Sequence, residues 1–223
     1  MTTENWEQFE NIKARLTATG RFEPAKHMAQ RLYYRTDPHS QGYPLDIIPF
    51  SGVETPPNSI AWPPDEAVVM NVIGYEEVLV NAVQIQVEND IVIPVTSLPG
   101  LALLKLFAWA DRGNSNSKDA LDLATLLRTY HEAGNQERLY GEEFRLLEDL
   151  DYDLDAASPH LLGKDVRNIA RTATLEQALA ILDDAKLLDR LMTHMAPGLR
   201  SADDPVEAAE RLLEQFKAGL TEK

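Results

Sequence analysis

The sequence predicts an α+β fold, and three observations carry that prediction. Short runs of β-branched and aromatic residues, among them "RLYYR", "LDIIPF" and "VQIQV", are bounded by Pro, Gly, Asn or Asp and lie before residue 96. Amphipathic stretches with the 3.6-residue period stand between and after them. From about residue 135 only the helical period is left, in an acidic sequence. The expected organisation is an α+β domain over residues 1–134 and a helical region over 135–223.

The elements follow in order. "NWEQFENIKARLTATG" spaces Trp6, Phe9, Ile12 and Leu16 for a helix over 5–19, with Gly20 as its stop. Strands 31–35 and 45–50 flank "TDPHSQGYP", whose Pro and Gly turn the chain, so they are expected to pair as a hairpin. "SGVETPPNSIAWPPDEA" reads as a proline-rich loop in which Trp62 serves equally as a packing or a binding residue. A strand at 68–73 and a short helix in "EEVLVNA" come next. Strands 83–87 and 90–95 close on the turn "END" as a second hairpin. Ser97 caps a strongly apolar helix over 97–111, and a second helix covers 117–133 after a polar loop. The five strands are expected to build a mixed, mostly antiparallel sheet against which these helices pack. Four further periodic stretches make the region beyond 140 wholly helical.

Composition narrows the function. The net charge of −15 opposes bulk nucleic-acid binding. The absence of cysteine excludes disulfides, thiolate metal sites and a cysteine nucleophile, and fits a cytoplasmic location. No signal-peptide core opens the chain, and "LPGLALLKLFAWA" is too short to span a bilayer, so no membrane partner is expected. No phosphate-binding glycine loop, HExxH or GxSxG is present. "DLDYDLDAA" lacks the glycine and glutamate of a calcium loop and reads as an acidic helix boundary.

What remains is charge embedded in apolar helices. Lys105 interrupts "LALLKLFAW", and Arg112 follows seven residues later, on the same helix face. "KDALDL" offers Lys118, Asp119 and Asp122, the two acids one turn apart. Taken alone, this is the pattern of two salt-bridged helices in which Lys105 snorkels out of the core. Asp46 stands in the apolar run "YPLDIIPF", where it either faces solvent or is held for chemistry.

The blocks "PLDIIPFSGVE", "IAWPPD", "VMNVIGYEE", "GLALLKLFAWADR" and "KDALDLATLLRTY", with "LLGKDVRNIA" after them, resemble in order those of the AbiEii/AbiGii-type nucleotidyltransferase toxins of bacterial defence and toxin–antitoxin systems. The resemblance covers most of the chain. It implies a nucleotidyltransferase fold and transfer of a nucleotidyl group from an NTP to a hydroxyl acceptor, be it RNA, protein or small molecule. It also implies two magnesium ions held by three carboxylates, which clamp the attacking and leaving oxygens. By position Asp46 matches the third metal carboxylate. Lys105 and Arg112 match the cations that face the triphosphate, and Asp119 matches the acid that orients them or assists the acceptor. Asp46 and Asp119 are thus the expected catalytic residues, Asp46 the expected metal ligand, and all four are expected to converge on one groove.

The sequence departs from that family at its start. The family's G-(S/A) segment and D-x-D strand precede a block resembling "NWEQFENIKARL", which here begins at residue 5. The expectation is an N-terminally incomplete domain, through start-site choice, cutting or gene decay. Such a chain would hold magnesium weakly or not at all and would not transfer nucleotides. The alternative is a non-catalytic remnant acting as a binding or oligomerisation module. A missing strand would leave "RLYYR" or "LDIIPF" at an uncovered sheet edge, a route to a homodimer.

Overall fold

The computed structural model describes residues 1–37, 40–200 and 202–222. The chain divides into two compact units, Met1–Glu76 and Glu77–Lys223.

In the first unit β1 (Thr2–Thr3) leads into α1 (Trp6–Ala18), followed by β2 (Phe22–Pro24), β3 (Arg31–Tyr34) and β4 (Tyr43–Asp46). Then come β5 (Phe50–Ser51), β6 (Ser59–Ala61) and β7 (Val69–Asn71). Asn5 caps α1 by accepting from the Gln8 N–H at 2.9 Å, and Gly20, at φ +72°, lets the chain leave the helix. The predicted hairpin forms: β3 and β4 pair antiparallel with Arg31 opposite Asp46 and Tyr34 opposite Tyr43. Of its predicted turn, Pro38 and His39 lie outside the described residues. β2 adds to the other side of β3, giving the order β2-β3-β4. Both outer strands carry a proline, Pro24 and Pro44, and the central one carries none, which fits a residue that cannot donate to a ladder. β4 is thus an edge strand, as expected of "LDIIPF", but all four of its residues are exposed. The strand stops at Asp46, and it is Ile47 and Ile48 that turn inward.

β1 runs parallel to β5, and β6 pairs antiparallel with β7. The core gathers Phe9, Phe50, Val53, Ile60, Trp62 and Val72. Trp62 is a packing residue: it is buried, with its ring centroid 5.7 Å from that of Phe9 and 5.5 Å from that of Trp6.

α2 (Tyr75–Val80) straddles the division between the units. In the second unit β8 (Val83–Glu88) and β9 (Ile91–Val95) form the predicted second hairpin. The α+β class and its mixed, mostly antiparallel pairing hold, but among the described residues the strands pair in four short separate sheets rather than in one. α3 (Leu98–Arg112) is capped by Ser97, whose hydroxyl accepts from the Gly100 N–H, and α4 (Lys118–Thr129) packs on it. A kinked turn, His131–Asn135, follows, with Gly134 at φ +86°.

Helices α5 (Gln136–Tyr140), α6 (Phe144–Asp149), α7 (Leu154–Ile169), α8 (Thr172–Asp183), α9 (Ala185–Met195) and α10 (Pro205–Thr221) complete the unit. Every described regular element beyond residue 140 is helical, as the periodicity predicts. "DLDYDLDAA" is the helix boundary it reads as: Asp153 caps α7 by accepting from the N–H groups of Asp155 and Ala156. α7 and α10 pack most closely. A Cβ at Gly163 would lie 2.1 Å from the Phe216 carbonyl oxygen, and one at Gly219 would lie 2.1 Å from that of His160. Among the described residues no helix is long and apolar enough to cross a membrane.

Candidate functional site

The site is built on the face of α3 that turns toward α4. Leu103, Leu106, Phe107 and Trp109 bury the helix, and Lys105 and Arg112 leave that apolar body two turns apart. The polar loop 113–117 reverses the chain, and the first turn of α4 brings Asp119 back beneath both cations. Lys105 Nζ donates to Asp119 Oδ1 at 3.0 Å, and Arg112 Nε donates to Asp119 Oδ2 at 2.8 Å. Arg112 Nη2 reaches Oδ1 at 3.2 Å, which makes the arginine contact bidentate. One turn on, Asp122 Oδ2 takes a 2.5 Å hydrogen bond from Lys105.

Exposure separates the roles of these groups. The Asp119 side chain is 3% exposed, whereas those of Arg112 and Asp122 are 56% and 39% exposed. Burial pushes the Asp119 carboxyl up, but the hydrogen bonds and charges of Arg112 and Lys105 outweigh it and hold the group below the ordinary aspartate value. For Lys105, burial works against the charge, but the hydrogen bonds it donates to Asp122 and Asp119, with their negative charges, raise the ammonium above its ordinary value. The result is an ionised, buried carboxylate that fixes two cations side by side, one of them reaching solvent.

A third cation borders the same loop. Arg190 of α9 bonds the Asn114 side chain and lies over the Trp109 ring, 4.8 Å from its centroid. Trp109 Nε1 donates to His194 Nδ1 at 3.1 Å. Sequence spacing puts Lys105 and Arg112 on one face and Asp119 and Asp122 one turn apart, and the resemblance singles out Lys105, Arg112 and Asp119. It carries no signal for Arg190, which comes from a different helix.

Asp46 belongs to the other unit, at the end of β4. Arg31 Nε and Nη2 each donate to one of its carboxylate oxygens at 2.7 Å. The hydrogen bonds from Arg31 hold the Asp46 carboxyl below its ordinary value, against the opposing effect of burial. The apolar run therefore tolerates Asp46 because it faces solvent at a cross-strand position opposite a cation. The structure brings Lys105, Arg112 and Asp119 together; the surroundings of Asp46 are those of its own sheet.

The magnesium that the resemblance implies needs a cluster of carboxylates. Among the described residues no three His, Asp or Glu side chains come together to hold a metal ion, and both Asp46 oxygens are engaged by Arg31. The described residues do not fit a two-magnesium centre.

Comparison with curated proteins and with solved structures returned no significant match. A family model does match, over residues 2–217, nearly the whole chain. With its α+β architecture, its helical C-terminal region and this match, the chain belongs to the nucleotidyl transferase AbiEii toxin family of type IV toxin–antitoxin systems.

Proposed function

We propose that the chain handles a nucleoside triphosphate in the transfer of a nucleotidyl group to a hydroxyl acceptor, in a toxin–antitoxin setting. Family membership over residues 2–217 supports the reaction class. In such a transfer the acceptor oxygen bonds the α-phosphorus while the bond to the leaving pyrophosphate breaks, and the hydroxyl proton passes to solvent. Catalysis of this kind rests on positioning and on charge aimed at the phosphates.

Lys105 and Arg112 are assigned to the triphosphate, and the observation that carries this is their shared anchorage on Asp119. Two cations held on one buried carboxylate lose little freedom when a phosphate arrives. Asp119 is assigned as the positioning residue, because its oxygens already accept from both cations. Asp46, which the resemblance matches to a magnesium ligand, is left to Arg31, which takes both of its oxygens.

Because no carboxylate cluster accompanies Asp46 among the described residues, the chain alone is proposed to bind NTP without transferring it. The same observation favours a second reading, a non-catalytic binding or oligomerisation module. Titration calorimetry with an NTP separates the two. Binding that weakens about 10-fold or more in Lys105→Gln and in Arg112→Gln supports the nucleotide site, about the loss of one charge-assisted contact. No NTP binding by the wild-type chain leaves only the module. Labelled-NTP transfer by this chain in magnesium, lost in Asp46→Asn, would overturn the proposed inactivity.

A further inference from the structure

The β8–β9 hairpin has a face that water does not suit. Its register sets Val83 opposite Val95 and Ile85 opposite Ile93, so these four share one side, and Val87 and Ile91 extend it beyond a bulge. Each of the six is between 41% and 52% exposed. Gln84, Gln86, Val92 and Pro94 make the other side, which is exposed as well, with Val92 at 54%, but carries two glutamines. Among the described residues no third strand pairs with either outer edge. A two-stranded hairpin with one uncovered apolar face has little stability of its own in water.

We propose that a second copy of this chain covers this face, the two hairpins stacking face to face about a two-fold axis. Area is the first argument. The six side chains present on the order of 500 Å² per copy, so a symmetric pair buries roughly 1,000 Å², the lower bound of a specific interface. Charge is the second. The hairpin contains no Lys or Arg, and its only charges, Glu88 and Asp90, sit at the turn. A two-fold axis perpendicular to the strands runs the hairpins in opposite directions, so each acidic turn meets the uncharged base of the other, Asn81, Ala82, Thr96 and Ser97, whereas an axis along the strands would set the two acidic turns together. The same lack of cations, in a chain of net charge −15, disfavours an anionic lipid surface as the occupant.

Sedimentation equilibrium on the whole chain tests this, with the interface read from two variants. The wild-type chain is expected to dimerise, more tightly as salt rises and screens the like charges. Ile85→Glu should weaken the dimer at least 100-fold, whereas Gln84→Glu on the opposite side should change it less than about threefold. Because the chain has no cysteine, a second reading is independent of stability. Ile93→Cys near the axis should cross-link to its own copy on oxidation, and Val92→Cys should not. A wild-type monomer at 100-fold the protein concentration at which Ile93→Cys is tested, or a dimer indifferent to Ile85→Glu, overturns the proposal. So does cross-linking of Val92→Cys that matches that of Ile93→Cys.

Discussion

Arg31 grips both carboxylate oxygens of Asp46 at 2.7 Å, across a hairpin whose register sets the two residues opposite each other. Both side chains are partly exposed, so the pair is screened, and Asp46→Asn should cost only about 0.5–1 kcal/mol at neutral pH. The sign of its pH dependence follows from the lowered Asp46 value. The contribution is present above the unfolded-state value of about 4 and is lost as pH falls through the lower folded-state value. Urea denaturation of both proteins at pH 7 and pH 2.5 should show the gap closing. A gap that widens in acid would contradict the pairing.

Asp119 is a different case, because its carboxylate is buried under two cations. Asp119→Ala should destabilise by about 3 kcal/mol, since the lysine is left half-buried without one partner. Lys105→Met should cost less, because Arg112 still satisfies the acid. The wild-type advantage over Asp119→Ala fades as pH falls through the lowered aspartate value. The raised Lys105 value acts at the other end: its contribution is complete below the unfolded lysine value of about 10.4 and fades above it. Equal losses for the two substitutions would show that the acid is not the centre of the cluster.

The α7–α10 contact makes a prediction from glycine alone. Gly163→Ala adds helix propensity, worth about 1 kcal/mol. Its methyl would nevertheless lie 2.1 Å from a backbone oxygen that cannot swing aside, and Gly219→Ala meets the same obstacle from the other helix. Overpacking should win, with a net loss of about 1–3 kcal/mol and a lowered Tm by circular dichroism. A raised Tm in either variant would mean that the helices part easily.

The hairpins and the capped helices were legible because each is encoded locally: period-two runs around Pro, Gly or Asn turns, and Ser97 before an apolar period. β2 was not, since three residues reading Phe-Glu-Pro become a strand only by pairing with β3. Division into separate sheets was likewise invisible, because strand partners distant in sequence are chosen by packing. In the site, the seven-residue spacing of Lys105 and Arg112 and the first-turn acid of α4 could be read directly. The hold of Arg31 on Asp46 depends on the register of the β3–β4 hairpin, which its apolar runs alone leave open, and the approach of Arg190 comes from a distant helix with no spacing rule behind it.

Asp122 gives the proposed site its own competitor. Its Oδ2 takes a 2.5 Å hydrogen bond from Lys105, and its side chain is more exposed than that of Lys105. Lys105 already donates to both Asp119 and Asp122, so an incoming triphosphate must displace Asp122 to gain Lys105. Asp122→Asn removes that opposing charge and leaves the buried Asp119 anchor in place. One unit charge a few ångströms away, partly screened, is worth about 1 kcal/mol. NTP affinity should therefore rise about fivefold in Asp122→Asn, and the gain should shrink as salt is raised. Asp119→Asn should act in the opposite direction, since it loosens both cations. Calorimetric titration in low and high salt measures all three proteins. If Asp122→Asn binds no better than the wild type, Lys105 is an interhelical clamp and not a phosphate contact.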